Sequence, residues 1–175
     1  GKDLGEILRT RETLTQKETL DILHQALLGL EMASEKGVIH RDIKPDNLMI
    51  AKDGVCKVSD FGLAKGYGAF DEVTIAGVRV GTPAFMSPEQ CDGIEVDARS
   101  DVYSLGCTVY LALTGFLPFG GDSPFSIMLK HKTDLPPSLR THRSEIDPGL
   151  DQLVQRMLAK KPNDRCIKLR ELIDQ

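Results

Sequence analysis

Residues 38–50 read VIHRDIKPDNLMI, a polar core set between two apolar flanks, and SDFG follows at 59–62. Asp42 is a carboxylate suited to accept a proton from a hydroxyl nucleophile. Lys44, two residues on, is a cation placed to meet the charge of a transferring phosphoryl group. Asn47 and Asp60 offer the oxygen donors that a hard cation such as Mg²⁺ takes alongside waters and phosphate oxygens. A base, a cation and Mg²⁺ are what phosphoryl transfer needs. The motifs are individually short, so the reading rests on their order and joint spacing.

These residues need elements that bring them together. Strands are predicted at about 48–51 and 55–58, around an Asp53-Gly54 turn. Asn47 begins one arm and Asp60 leaves the other, so both fall at the hairpin base. Upstream, the spacing predicts a helix from Thr15 to Lys36 with Leu20, Leu23, Leu27 and Leu30 on one stripe. Thr15 with Glu18 gives a capping-box signature, and Gly37 suits the left-handed position after the last turn. The helix runs into "VIH", which reads as a short strand-like trio.

Downstream, residues 60–95 show little periodicity, as a functional loop or a disordered segment would. From Asp97 to Leu113 apolar residues occupy nearly every side of the helical wheel, which predicts a central buried helix ending at Thr114-Gly115. Further helices are expected at about 123–131, 148–159 and 167–174, with Asp147 capping Pro148. The expected architecture is mainly α with a small antiparallel β-hairpin and one long irregular loop.

The 175 residues fit one domain, and 41% hydrophobic with 27% charged residues is an ordinary globular balance. A net charge of −4 gives no reason to expect nucleic acid or an anionic membrane as partner. No apolar run reaches the length of a membrane span. Cys56, Cys91, Cys107 and Cys166 lie far apart, as reduced thiols of a cytoplasmic protein would. No Met opens the chain, and "GKDLGEILRT" reads as the interior of a longer protein.

"HRDIKPDN" at 40–47, "DFG" at 60–62 and "GTPAFMSPE" at 81–89 resemble the catalytic loop, metal-binding motif and activation-segment end of the protein kinases. The resemblance covers nearly the whole chain, since the buried helix with Asp101 and the late Arg165 match as well. Ile43 stands where Leu is commoner, and Ser87 where Ala is. "FMSPEQ" is most similar to bacterial-type serine/threonine kinases.

The resemblance implies a kinase-like C-terminal lobe over residues 1–175, with catalytic loop 40–47 and activation segment 60–89. It makes Asp42 the base, and Asn47 and Asp60 the holders of Mg²⁺ (or Mn²⁺) on ATP. Lys44 contacts the γ-phosphate, Thr82 bonds toward Asp42 and Lys44, and both point to serine/threonine specificity. Met49 floors the adenine pocket. His40 and Phe61 stack in a hydrophobic spine tied to Asp101, and Glu89 pairs with Arg165. Arg41 implies regulation by a loop phosphate, with Thr74 the expected phosphosite.

The kinase pattern also calls for a Gly-rich loop, a strand Lys and its Glu partner, and residues 1–175 hold none of these. The expectation is therefore that the N-terminal lobe is absent and that the isolated chain is inactive and binds Mg·ATP weakly. Expected partners are Ser/Thr-bearing protein substrates, the missing lobe and a second kinase copy. The expected location is cytoplasmic, with any membrane anchor of the parent outside this segment. Two alternatives compete: a kinase-fold scaffold without catalysis, disfavoured by the intact Asp42, Asn47 and Asp60, and a small-molecule kinase, disfavoured by "GTPAFMSPE".

Overall fold

A computed structural model of the chain describes residues 1–61, 74–75, 78–79 and 83–165. The opening residues form a short strand β1 (Lys2–Asp3) and a helix α1 (Leu4–Arg11), neither of which the periodicity predicted. Asp3 starts the helix by accepting the Glu6 N–H at 2.7 Å.

Helix α2 (Gln16–Glu35) begins as its capping box predicts. Thr15 Oγ1 accepts the Glu18 N–H at 3.2 Å, and Glu18 accepts the Thr15 N–H at 2.9 Å. Gly37 takes φ 70° just past its end. Its buried face is Thr19, Ile22, Leu23, Ala26, Leu27 and Leu30, while Leu20 is 42% exposed. The predicted stripe is thus displaced by one position at its start, because Thr19 rather than Leu20 lies in line with Leu23 and Leu27.

Residues 38–40 are not a strand, contrary to the expectation for "VIH". Their backbone donors find other acceptors: Val38 N–H goes to Ala33 O at 2.9 Å, and His40 N–H to the Asp101 carboxylate at 2.8 Å.

The hairpin is present as β2 (Leu48–Ile50) and β3 (Cys56–Val58), antiparallel with Leu48 opposite Val58 and Ile50 opposite Cys56. Strand β1 pairs with the other edge of β2, completing a sheet of order β1-β2-β3. A separate ladder joins β4 (Thr74–Ile75) to β5 (Val78–Arg79). The remaining described helices are α3 (Pro88–Cys91), α4 (Ala98–Thr114), α5 (Pro124–Thr133) and α6 (Pro148–Met157). The helix expected over 167–174 lies outside the described residues.

Helix α4 is the structural axis. Every residue from Ser100 to Thr114 except Leu111 is buried, with α2 and α6 packed against it. Its small polar side chains satisfy themselves one turn back: Ser104, Thr108 and Thr114 donate to the carbonyls of Ser100, Ser104 and Tyr110. Gly106 permits the closest approach of α6, since a Cβ there would meet Met157 Cβ at 3.0 Å. The helix stops at Gly115, whose φ of 78° puts it in the left-handed region. Among the described residues no helix is long and apolar enough to cross a membrane.

Candidate active site

The polar loop tightens into a 3₁₀ turn at Pro45–Asn47, which aims the Asn47 side chain back along the loop. Asn47 Nδ2 donates to Asp42 O at 2.7 Å and to Asp42 Oδ2 at 3.2 Å. Lys44 Nζ lies 3.0 Å from the same Oδ2. Two donors therefore fix the Asp42 carboxylate while its side chain stays 41% exposed. Exposed pairs of this kind contribute only about 0.2–1 kcal/mol, so the effect of Lys44 on Asp42 is one of orientation.

The other side of the site comes from the end of β3. Ser59 N–H donates to Asn47 O at 2.9 Å, so the hairpin base brings Asn47 beside the residue preceding Asp60. Ser59 Oγ bridges Asn47 O at 3.3 Å and Asp60 Oδ2 at 3.1 Å. Asp60 sits at φ 61°, a conformation that most side chains avoid and that occurs where a site over-determines the backbone.

His40, 1% exposed, joins the two sides from beneath. Its Nδ1 accepts the Asp42 N–H at 3.3 Å, which leaves Nε2–H to donate to Ser59 O at 2.7 Å. The two partners assign a neutral ring protonated at Nε2. Phe61 meets the same ring edge-on at a centroid distance of 4.9 Å. His40 is thus a strut between residues 42 and 59, with no free nitrogen to shuttle protons.

Asp101 anchors this strut to α4. Its carboxylate accepts the N–H groups of His40 and Arg41, each at 2.8 Å. Burial pushes the carboxyl above its usual range, and the two main-chain donors oppose that shift. Gln90 Nε2 donates to Arg41 O at 2.7 Å, so both backbone groups of Arg41 are held at φ 70°. Gln90 also closes a capping box with Ser87 at the start of α3. That Ser-x-x-Gln signal is present in the sequence, but nothing in it points to Arg41.

Glu89 and Arg165 form a buried pair at 2.7 and 2.9 Å. Arg165 uses all its donors, adding the carbonyls of Ala159, Arg99 and Lys160. Burial alone would raise the Glu89 carboxyl, but hydrogen bonds from Arg165 and Ser100 hold it below the ordinary range. The Arg165 guanidinium also lies over the Tyr103 ring, 4.8 Å from its centroid.

Beside the loop opens a cavity of about 490 Å³. Leu8 of α1, Pro45 and Asp46 of the loop, Phe85, and Leu111 and Phe116 at the end of α4 line it. Asp46 of the loop faces α1, with Oδ1 3.6 Å from Arg9 Nη1. Met49 is 39% exposed on β2. Thr82 lies outside the described residues, and of Thr74 only the backbone, in β4, is described.

The donor set fits Mg²⁺. Among the described residues no three His, Cys, Asp or Glu cluster as a ready metal cage. An Asn oxygen and an Asp carboxylate at a hairpin base suit an ion that keeps waters and phosphate oxygens as its other ligands.

The family model described as protein kinase domain matches residues 1–174. The chain is 41% identical over 168 residues to the serine/threonine-protein kinase PknB of Mycolicibacterium smegmatis, covering 94% of this chain and 27% of that protein. It is 42% identical over 168 residues to PknB of Mycobacterium tuberculosis, covering 94% and 26%. It is 40% identical over 174 residues to the kinase pkn3 of Myxococcus xanthus, covering 94% and 32%. The chain thus spans between about a quarter and a third of the length of these relatives. It belongs to the protein kinase domain family.

Proposed function

We propose that this chain is the larger, C-terminal lobe of a serine/threonine protein kinase that phosphorylates protein substrates. The observation that carries the reading is the convergence on Asp42: Asn47 and Lys44 hold its Oδ2 while the side chain stays open to solvent. Its remaining oxygen, Oδ1, is then the atom that orients the acceptor hydroxyl and takes its proton. Asn47, its amide nitrogen turned to Asp42, has Oδ1 to offer a cation beside the Asp60 carboxylate. Mg·ATP, when bound there, supplies the transferable phosphoryl group and the positive charge those two oxygens face.

Lys44 can keep contact with Asp42 and meet a phosphate oxygen, because a lysine ammonium has three donors. Its presence, with that of Thr82, favours serine and threonine over tyrosine as acceptors. Met49 offers an exposed apolar surface to the adenine ring. The acceptor peptide lies along the cavity, which Asp46 of the loop and Phe85 both help to line. Residues 83–85 then form its docking turn. Arg41, exposed at the loop, is positioned to bind a phosphate on Thr74 and order residues 60–89.

The test is transfer of labelled phosphate from ATP to a Ser/Thr peptide by the intact protein, compared with its Asp42→Asn variant.

A further inference from the structure

The peptide unit joining Arg41 to Asp42 is held at both of its polar ends. Asp42 N–H donates to His40 Nδ1 at 3.3 Å, and Arg41 O accepts from Gln90 Nε2 at 2.7 Å. The first partner belongs to the loop itself, while the second comes from α3, 49 residues further along the chain. A peptide unit is planar, so fixing its carbonyl and its N–H fixes the plane from which the Asp42 side chain departs.

Gln90 meets that carbonyl in one orientation. Its Oε1 accepts the Ser87 N–H at 2.9 Å, as one arm of the capping box, which leaves Nε2 for Arg41 O. Turning the amide over would set oxygen against oxygen at Arg41 and N–H against N–H at Ser87. The frame that carries Gln90 is itself fixed. Glu89 beside it is bonded to Arg165 and Ser100, and Asp92 at the end of α3 pairs with Lys132 of α5. Arg41 at φ 70° keeps its conformation only because its surroundings over-determine it. Gln90 is half-buried, so its bond contributes modestly to stability, and its main effect is to direct the carbonyl that precedes Asp42.

We propose that Gln90 is a positioning residue for Asp42: through Arg41 O it fixes the peptide plane that carries the proposed base, and so makes the rate of phosphoryl transfer depend on the seating of α3. The inference rests on the kinase reading above.

The test separates the two ends of the Gln90 amide in the intact protein, with steady-state kinetics against a Ser/Thr peptide and urea unfolding of each variant. Gln90→Glu keeps an oxygen for the Ser87 N–H and loses the donor to Arg41 O. Gln90→Lys keeps a donor within reach of Arg41 O and loses the cap acceptor. Gln90→Met loses both. Gln90→Glu and Gln90→Met are expected to lower kcat about tenfold, the scale of one hydrogen bond, with the KM for ATP and for peptide within about twofold. Gln90→Lys is expected to keep kcat within about threefold of wild type, although its urea midpoint falls with the lost cap. Should Gln90→Met fail to fold, the comparison of Gln90→Glu with Gln90→Lys decides. An unchanged kcat in Gln90→Glu, a Gln90→Lys variant as slow as Gln90→Glu, or a KM for ATP that rises in step overturns the assignment to Gln90. Absence of phosphoryl transfer in the wild-type protein overturns the kinase reading itself.

Discussion

The buried Asp101 carboxylate holds Arg41 in the left-handed region, accepting its N–H at 2.8 Å while Arg41 takes φ 70°. A non-glycine residue there stores roughly 1–3 kcal/mol of strain, which the surrounding bonds must offset. The consequence is mechanical. Arg41 immediately precedes Asp42, so the orientation of the proposed base depends on a residue of a different element.

Asp101→Asn tests that dependence. The amide keeps the shape but presents one N–H₂ to a main-chain N–H, losing one charge-assisted hydrogen bond. A stability loss of about 2 kcal/mol in urea titration is expected. Phosphoryl transfer is expected to fall about tenfold or more, since misplacing a base costs rate steeply. Wild-type kinetics with lowered stability would separate the fold role of Asp101 from any effect on Asp42.

Glu89→Ala leaves the Arg165 charge buried with its main strong partner gone, and should cost about 3–5 kcal/mol by chemical denaturation. Replacing both, as Glu89→Leu with Arg165→Met, should recover much of that loss. The pair also sets a pH dependence. Because the folded Glu89 carboxyl is held below its ordinary 4.5, its contribution is present above that pH. It is lost as pH falls from about 4.5 through the lower folded value, and Glu89→Gln should flatten this part of the acid-unfolding profile.

Gly106→Ala sets two effects against each other. Alanine is favoured in a helix interior by about 1 kcal/mol. The new methyl would meet Met157 Cβ at 3.0 Å and Leu158 Cδ2 at 3.2 Å. Overpacking of a core costs about 1–3 kcal/mol, and Met157 Cβ cannot rotate away. Net destabilisation is expected, read as a lower thermal midpoint. A raised midpoint would show that α6 moves aside freely.

Thr74→Ala should remove one phosphate from the intact protein by mass spectrometry and lower activity. Equal phosphate occupancy in both forms would exclude Thr74 as the modified residue.

Much of the fold was legible because it is local. The capping box at Thr15 and Glu18, the Asp53-Gly54 hairpin and the left-handed Gly37 are each specified within a few residues. The all-round apolar pattern of α4 announced its burial. The failures have physical causes. "VIH" has strand composition, but its backbone donors are taken by Ala33 and by Asp101, 61 residues beyond His40. Helix α1 has too short an apolar pattern to announce itself, and its Asp3 cap was passed over. Among the candidate site residues, Asp42, Asn47 and Asp60 were visible through their motifs. Ser59 and Gln90 act through main-chain partners that no spacing encodes.

The most direct test of the account is the rate of phosphoryl transfer by the intact protein carrying Asp42→Asn. This change keeps the size of the side chain and removes the proton acceptor. With folding checked by circular dichroism, kcat for a Ser/Thr peptide is expected to fall about 10²–10⁴-fold while the KM for ATP holds within about threefold. A kcat within about twofold of wild type would contradict the assignment of Asp42 as the base.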